Sequence, residues 1–157
     1  MKNRAEIPTA RDIMKPKPYA VSGDVELSEA IRLLLGKGFS AAPVIDASGR
    51  LIGVLSEYDC VAVLAHAAAD KWPLGNVADR MTRDVESVSP SEDLFALSTR
   101  FCQGHHRRLF VVEDGQLVGV ISRRNLVGAL DSLERETEKR CRESTYETME
   151  KRHIALD

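Results

Sequence analysis

The 157-residue sequence has one tryptophan, and its aromatic residues amount to only 5% of the chain. So few rings leave no aromatic interleaving of the kind that stacks single-stranded bases, and nucleic-acid binding is disfavoured. Cysteine is scarce as well. Cys60, Cys102 and Cys141 are odd in number and lack a C-x-x-C spacing, which argues against a disulfide framework or a structural zinc site and predicts reduced thiols. There is no excess of one charge: 22 Lys and Arg face 24 Asp and Glu, a formal net charge of −2. Any anion site must therefore be local. No apolar run approaches the roughly 20 residues needed to cross a bilayer. The polar start Met1 to Glu6 leads into no signal-peptide core, so the expectation is a cytoplasmic chain with no membrane partner. A G-x-S-x-G elbow, a P-loop, an H-E-x-x-H motif and a carboxylate pair in an apolar setting are all missing, which predicts a non-enzyme with no required cofactor.

What the sequence has is a duplication. Asp12-Ile13-Met14 aligns with Asp79-Arg80-Met81, an offset of 67 residues, and Val21-Ser22 aligns with Val88-Ser89. After a one-residue deletion near Ser48, Gly49-Arg50-Leu51-Ile52-Gly53-Val54-Leu55-Ser56 matches Gly115-Gln116-Leu117-Val118-Gly119-Val120-Ile121-Ser122. Glycines, serines and apolar positions held in register over such a length mark an internal repeat.

Each copy predicts the same order of elements. An extended lead-in and a short strand near Ala20-Val21 or Ser87-Val88 precede an amphipathic helix, with Leu27, Ala30, Ile31, Leu34 and Leu35 in copy one and Leu94, Leu97 and Phe101 in copy two. Ser89-Pro90-Ser91-Glu92 carries the signature of a helix start. Two apolar runs around a glycine-containing turn then predict a hairpin. A second helix follows, carrying Val61 and Leu64 or Leu126, Val127 and Leu130, while Cys60 and Cys102 are expected to fill the core on helical faces. The resulting division is repeat one over 9–65, a linker over 66–76 anchored by Trp72, repeat two over 77–130, and a charged helix over 131–157 whose Glu136 and Arg140 stand four residues apart. One repeat of about 55 residues buries too little surface to be stable alone, so the two must pack together.

Over residues 9 to 130 this pattern resembles a tandem pair of cystathionine-β-synthase (CBS) domains, the Bateman module of stand-alone CBS domain proteins. The marks are the lead-ins Asp12-Ile13-Met14 and Asp79-Arg80-Met81-Thr82, the strand start Ala42-Pro43-Val44, and G-x-x-S-x-x-D/N read twice, as Gly53 to Asp59 and Gly119 to Asn125. Repeat two departs from the family at Phe110, where proline is usual, and at Asn125, where aspartate is commoner. The resemblance implies an α/β (α+β) fold of two βαββα repeats packed sheet to sheet with pseudo-two-fold symmetry. It also implies a homodimer formed through helices.

The S-x-x-D/N motif has two readings. It closes the first turn of a helix whatever the function, and a helix start beside a serine hydroxyl also suits a phosphate, with Asp59 or Asn125 facing a ribose. By resemblance, two unequal ligand-binding clefts are expected. Cleft B combines Arg108, Ser122 and Asn125 with Met14, Lys15, Lys17, Tyr19, Phe39 and Ser40, and Arg108 is a candidate phosphate partner. Cleft A combines Ser56 and Asp59 with Met81, Thr82, Arg83, His106 and Arg107, and has Ala41 where repeat two has Arg108. His105 and His106 are adjacent and so point to opposite faces of a strand, and with no third ligand spaced to help, no metal site is expected. The implied function is regulatory: a module sensing AMP, ADP, ATP or S-adenosylmethionine, with an unidentified protein partner. The alternative is a nucleotide-free interaction or dimerisation module acting through its C-terminal helix.

Overall fold

The computed structural model describes residues 7–67, 74–104 and 106–154. Trp72 and His105, and with Trp72 most of the expected linker, lie outside the described residues. In chain order the elements of the first half are α1 (Ala10–Ile13), β1 (Lys15–Pro16), β2 (Val21–Ser22), α2 (Leu27–Lys37), β3 (Ala41–Ile45), β4 (Leu51–Ser56) and α3 (Glu57–Ala67). Those of the second are α4 (Val77–Arg80), β5 (Ser87–Val88), α5 (Leu94–Gln103), β6 (Arg108–Glu113), β7 (Gln116–Ser122) and α6 (Arg123–Ile154). The fold is mixed α and β, with one sheet per repeat and a C-terminal helix.

The lead-ins are not wholly extended as expected: each opens with a helical turn, α1 or α4. Asp12 Oδ2 accepts from the Thr9 N–H and hydroxyl at 2.7 Å each, and Asp79 Oδ2 accepts from the Asn76 N–H at 2.9 Å. These contacts tie down donors that a helix start otherwise leaves free.

The lead-ins are exchanged between the repeats. Ala10, from repeat one, is fully buried in the core of repeat two with Val88, Leu97, Phe101, Leu109, Val111 and Ile121. Val77 and Met81, from repeat two, are buried in the core of repeat one with Leu27, Ala30, Leu34, Val44 and Leu55. Matching backbone bonds fix the exchange. The Leu27 and Leu94 N–H groups donate to the Gly75 and Pro8 carbonyls, and the Ala78 and Arg11 N–H groups donate to those of Gly23 and Pro90.

The sheets run β2-β3-β4 and β1-β7-β6-β5, so β1 of repeat one joins the sheet of repeat two, antiparallel to β7. Where the first short strand joins the hairpin in parallel, repeat two pairs Ser87 with Phe110 and Val88 with Val111. Repeat one pairs one residue later, Val21 with Val44 and Ser22 with Ile45, because Pro43 at the Phe110 position has no N–H to give. The two hairpin turns meet head on: Leu51 N–H donates to Gly115 O at 3.3 Å and Leu117 N–H to Gly49 O at 3.2 Å. Both glycines sit at positive φ, 83° and 82°. A Cβ on Gly49 or Gly115 would meet only the movable ends of the Gln116 and Arg50 side chains, so it is the left-handed conformation that calls for glycine there.

Two local expectations are corrected, and the exposed faces of the second helices become visible. Ser89 to Glu92 does not start α5; it forms a turn onto which α1 docks through Ala10 and Arg11. Asp93 caps the helix instead, accepting from the Phe95 and Ala96 N–H groups at 2.9 Å each. Cys102 is exposed, and of the two helical cysteines expected inside only Cys60 packs against a core. Finally, Val61, Leu64, Val127 and Leu130 are between 60% and 70% exposed, because Cys60 with Val63 on α3 and Leu126 on α6 supply the inward faces. The charged tail extends the last helix as expected, for α6 runs unbroken over 32 residues with Arg135–Asp131 and Arg140–Glu136 pairs along it. No helix among the described residues is long and apolar enough to cross a membrane.

Candidate functional site

Each hairpin ends in a serine that hands the chain to a helix, and the S-x-x-D/N side chain closes that junction. Asp59 Oδ2 accepts from Ser56 N–H at 2.7 Å and from its hydroxyl at 2.5 Å, while Oδ1 accepts from the Thr82 hydroxyl at 3.0 Å. Asn125 Oδ1 likewise accepts from Ser122 N–H at 2.8 Å and its hydroxyl at 2.7 Å. The capping reading is thus realised at both places. A carboxylate with three acceptor sites filled still has one to offer, whereas an amide oxygen holding two donors leaves only its NH₂. Asn125, which lines cleft B, can therefore donate to a ligand hydroxyl, while Asp59 is outside the lining of cleft A.

Two clefts open between the repeats. The one of about 500 Å³ is lined by Ser40, Ser56, Thr82, His106 and Arg107, which makes it cleft A. Cleft B, of about 310 Å³, is lined by Lys15, Tyr19, Phe39, Arg108, Ser122 and Asn125. Ala41, Arg108 and Phe110 line both, so the clefts share a wall. The Arg108 side chain crosses that wall and donates from Nη1 to the Ala41 carbonyl at 3.2 Å.

The structure places the other expected residues elsewhere. Ser40 lines cleft A, not cleft B. Met14 and Met81 lie against the opposite hairpins, where Met81 Sδ would be 2.6 Å from a Cβ on Gly53 and Met14 would collide with one on Gly119. Lys17 is outside the lining of cleft B, in a left-handed backbone conformation with φ 49°. Asp59 stands behind the wall of cleft A, bonded to Thr82. Arg83 turns away, donating to the Ala78 carbonyl at 2.9 Å. The two methionines are drawn away by the glycines they face, which leave the space a side chain would have taken.

Helix exits shape the two clefts differently. Gly38, in the left-handed conformation at φ 65°, ends α2, with the Phe39 N–H returned to Leu34 O at 2.9 Å. Phe39 then sits 6.4 Å from Tyr19, ring to ring, with Lys37 Nζ 5.0 Å from the Tyr19 centroid, so cleft B has a paired aromatic wall suited to a flat base. The exit of α5 at Gly104 is extended (φ −94°) and delivers His106 to Glu86, Nε2 to Oε2 2.5 Å. Glu86 also accepts from Arg100 at 2.7 Å and Glu92 from Arg100 at 2.8 Å; the hydrogen bonds it donates to these carboxylates hold the guanidinium still more firmly protonated. Burial, with Asp59 and Glu57 alongside, pushes the Cys60 thiol up and keeps it protonated and unreactive.

Sequence reasoning missed Glu57, Tyr58, Asp84 and Glu86 in cleft A and Pro18, Pro43 and Phe110 in cleft B. The repeat offset was the available signal, since it sets Lys17 opposite Asp84 and Tyr19 opposite Glu86. No group of three or more His, Cys, Asp or Glu side chains fit to hold a metal occurs among the described residues.

Comparison with known proteins agrees with this architecture. MJ1426 of Methanocaldococcus jannaschii is 30% identical over 156 residues, covering 80% of this chain and 92% of its own length. MJ1225 of the same organism is 31% identical over 78% of this chain, which spans only 42% of that relative. The crystal structure of CBSX2, from Arabidopsis thaliana, in complex with AMP superposes with a TM-score of 0.72 at 31% identity, over 81% of this chain and 98% of that one. The CBS domain family itself matches twice, over residues 10–66 and again over 75–132, and the chain belongs to that family as a tandem pair of CBS domains.

Proposed function

We propose that the chain is a non-catalytic regulatory module that senses an adenosine-containing ligand, AMP, ADP, ATP or S-adenosylmethionine, in its inter-repeat clefts. The observation that carries this reading is cleft B: an aromatic pair for the base, Ser122 and Asn125 for the ribose, and Lys15 and Arg108 for phosphate oxygens, all lining one space of about 310 Å³. The AMP bound by CBSX2, 31% identical to this chain, supports the same ligand class. Signalling requires that the ligand favour one arrangement of the repeats over another, because equal affinity shifts nothing. The exchanged lead-ins supply a route, since β1, which carries Lys15, is itself hydrogen-bonded to β7 of the other repeat.

A thermal-shift panel of AMP, ADP, ATP with and without magnesium, and S-adenosylmethionine tests the reading. A ligand at 100 times its dissociation constant adds about 2.7 kcal/mol to stability. The expected result is a rise in melting temperature for at least one adenosine ligand that shrinks in Asn125→Ala or Lys15→Ala. No shift with any ligand, in protein shown free of co-purified nucleotide, overturns it.

One observation favours the second reading, an interaction or dimerisation module. Val61 and Leu64 on α3, and Val127 and Leu130 at the base of α6, are exposed apolar residues of the kind that cover an assembly surface, and a homodimer through these helices is the partner we expect. Loss of assembly on truncation after Leu130, with any nucleotide response intact, would assign that role to α6.

A further inference from the structure

The segments that supply one side of each cleft are equivalent in position and opposite in charge. At the 67-residue offset, Lys15, Lys17 and Tyr19 correspond to Thr82, Asp84 and Glu86. At the hairpin exits the same bias returns, with Glu57 opening α3 and Arg123 opening α6. Cleft A is accordingly lined by three carboxylates, Glu57, Asp84 and Glu86. Facing them are Arg107 and Arg108, of which Arg108 belongs equally to cleft B and is bonded to the Ala41 carbonyl. Glu86 is held by Arg100 and by the His106 imidazole, which leaves Glu57 and Asp84 as the carboxylates outside those pairs. Cleft B is lined by Lys15 and Arg108 with no carboxylate among its described lining residues.

On the ligand-sensing reading above, we propose that the two clefts sort nucleosides by the charge of the 5′ substituent. Cleft B takes the 5′-phosphorylated form, and cleft A takes a nucleoside whose 5′ group is neutral or cationic. Base and ribose are served on both sides. The Tyr19–Phe39 pair walls cleft B; Tyr58, Val54 and Val85 wall cleft A, with Ser56 and Thr82 beside them. The phosphate is what separates them. A carboxylate about 5 Å from a phosphate charge, at an effective dielectric near 20, lowers affinity by at least about tenfold. The same arithmetic with reversed sign favours phosphate beside Lys15. Because Arg108 is the one guanidinium on the shared wall, a phosphate that draws it into cleft B leaves cleft A more acidic still.

The test is calorimetric titration of the whole chain with AMP and with adenosine, which differ only in the phosphate. Expected for the unmodified protein is one AMP-binding site, weakened about tenfold by Lys15→Ala, with adenosine binding far less affected. Expected for the double variant Asp84→Asn, Glu57→Gln is a second equivalent of AMP, because neutralising those carboxylates opens cleft A to phosphate. Neither residue is in any of the ion pairs that brace Arg100, and Asp84→Asn alone serves if the pair lowers stability. AMP affinity indifferent to Lys15→Ala but lost in Arg107→Ala, or two AMP equivalents in the unmodified protein, overturns the sorting while leaving the sensor reading standing. Binding of neither compound to any variant overturns the sorting, and the sensor reading falls with it only if ADP, ATP and S-adenosylmethionine also fail to bind.

Discussion

Cleft A and cleft B are built from the two copies of one duplicated unit, and comparing them separates what the fold requires from what a ligand meets. The positions that hold the repeats together are the same in both. Gly53 faces Met81 and Gly119 faces Met14, Ser56 is closed by Asp59 and Ser122 by Asn125, and the hairpin turns bond each other reciprocally. The positions lining the clefts diverge: Phe39 against His106, Ala41 against Arg108, Tyr19 against Glu86. Divergence is tolerated there because equivalent places are filled by different local contacts, Phe39 against the core of repeat one and Glu86 on Arg100 and His106. It is resisted at the glycines, where an added Cβ meets the other repeat.

The sharpest way to break the equivalence is to add one methyl group to each hairpin. A Cβ on Gly53 would stand 2.6 Å from Met81 Sδ and 2.9 Å from the Thr82 carbonyl oxygen. That oxygen is fixed, because Thr82 and Val54 exchange backbone bonds at 2.9 Å in both directions. On Gly119 the nearest atoms all belong to the side chain of Met14, a half-buried residue free to take another rotamer. Gly53→Ala is expected to cost about 3 kcal/mol and Gly119→Ala about 1 kcal/mol, read as shifts in the urea midpoint. Equal costs would mean that the lead-in of repeat two is no more rigidly held than that of repeat one.

A smaller difference lies at the start of the first long helix of each repeat. Asp93 accepts two backbone N–H bonds, whereas Glu26, its equivalent, makes no side-chain cap bond to α2. Asp93→Ala should therefore cost about 1 kcal/mol and Glu26→Ala less than about 0.3 kcal/mol. If both cost the same, the caps contribute nothing and the lead-in bonds to Leu27 and Leu94 carry the helix starts alone.

Much of this was legible in the sequence because the duplication doubled every signal. Gly53-x-x-Ser56 alone is ambiguous; set beside Gly119-x-x-Ser122 it fixes both hairpin exits. What escaped depended on the partner repeat. Ser89-Pro90-Ser91-Glu92 has every local feature of a helix start, yet the backbone of α1 docks on it and moves the start to Asp93. Val61 and Leu64 have core chemistry, but whether α3 turns them inward depends on Val63 and Cys60 fitting the sheet better. The acidic lining of cleft A was present in the letters Asp84 and Glu86. It took the geometry to bring them beside Ser56, since they are far from it in sequence.

The smallest effect concerns acid. Asp12, in the lead-in of repeat one, is held below the usual carboxylate range mainly by the Thr9 N–H and then by its hydroxyl. Asp46, in the turn of the same repeat, is lowered by Ser48 first and then by the Arg50 N–H. A carboxylate whose folded pKa is depressed contributes stability that is present above its unfolded value, near 3.8, and lost as pH falls through the folded one. Melting temperature should therefore fall with pH below about 5, and Asp12→Asn or Asp46→Asn should each flatten that slope a little, because both groups are solvent-screened. A slope unchanged by either substitution would assign the acid sensitivity to bulk charge and not to these hydrogen bonds.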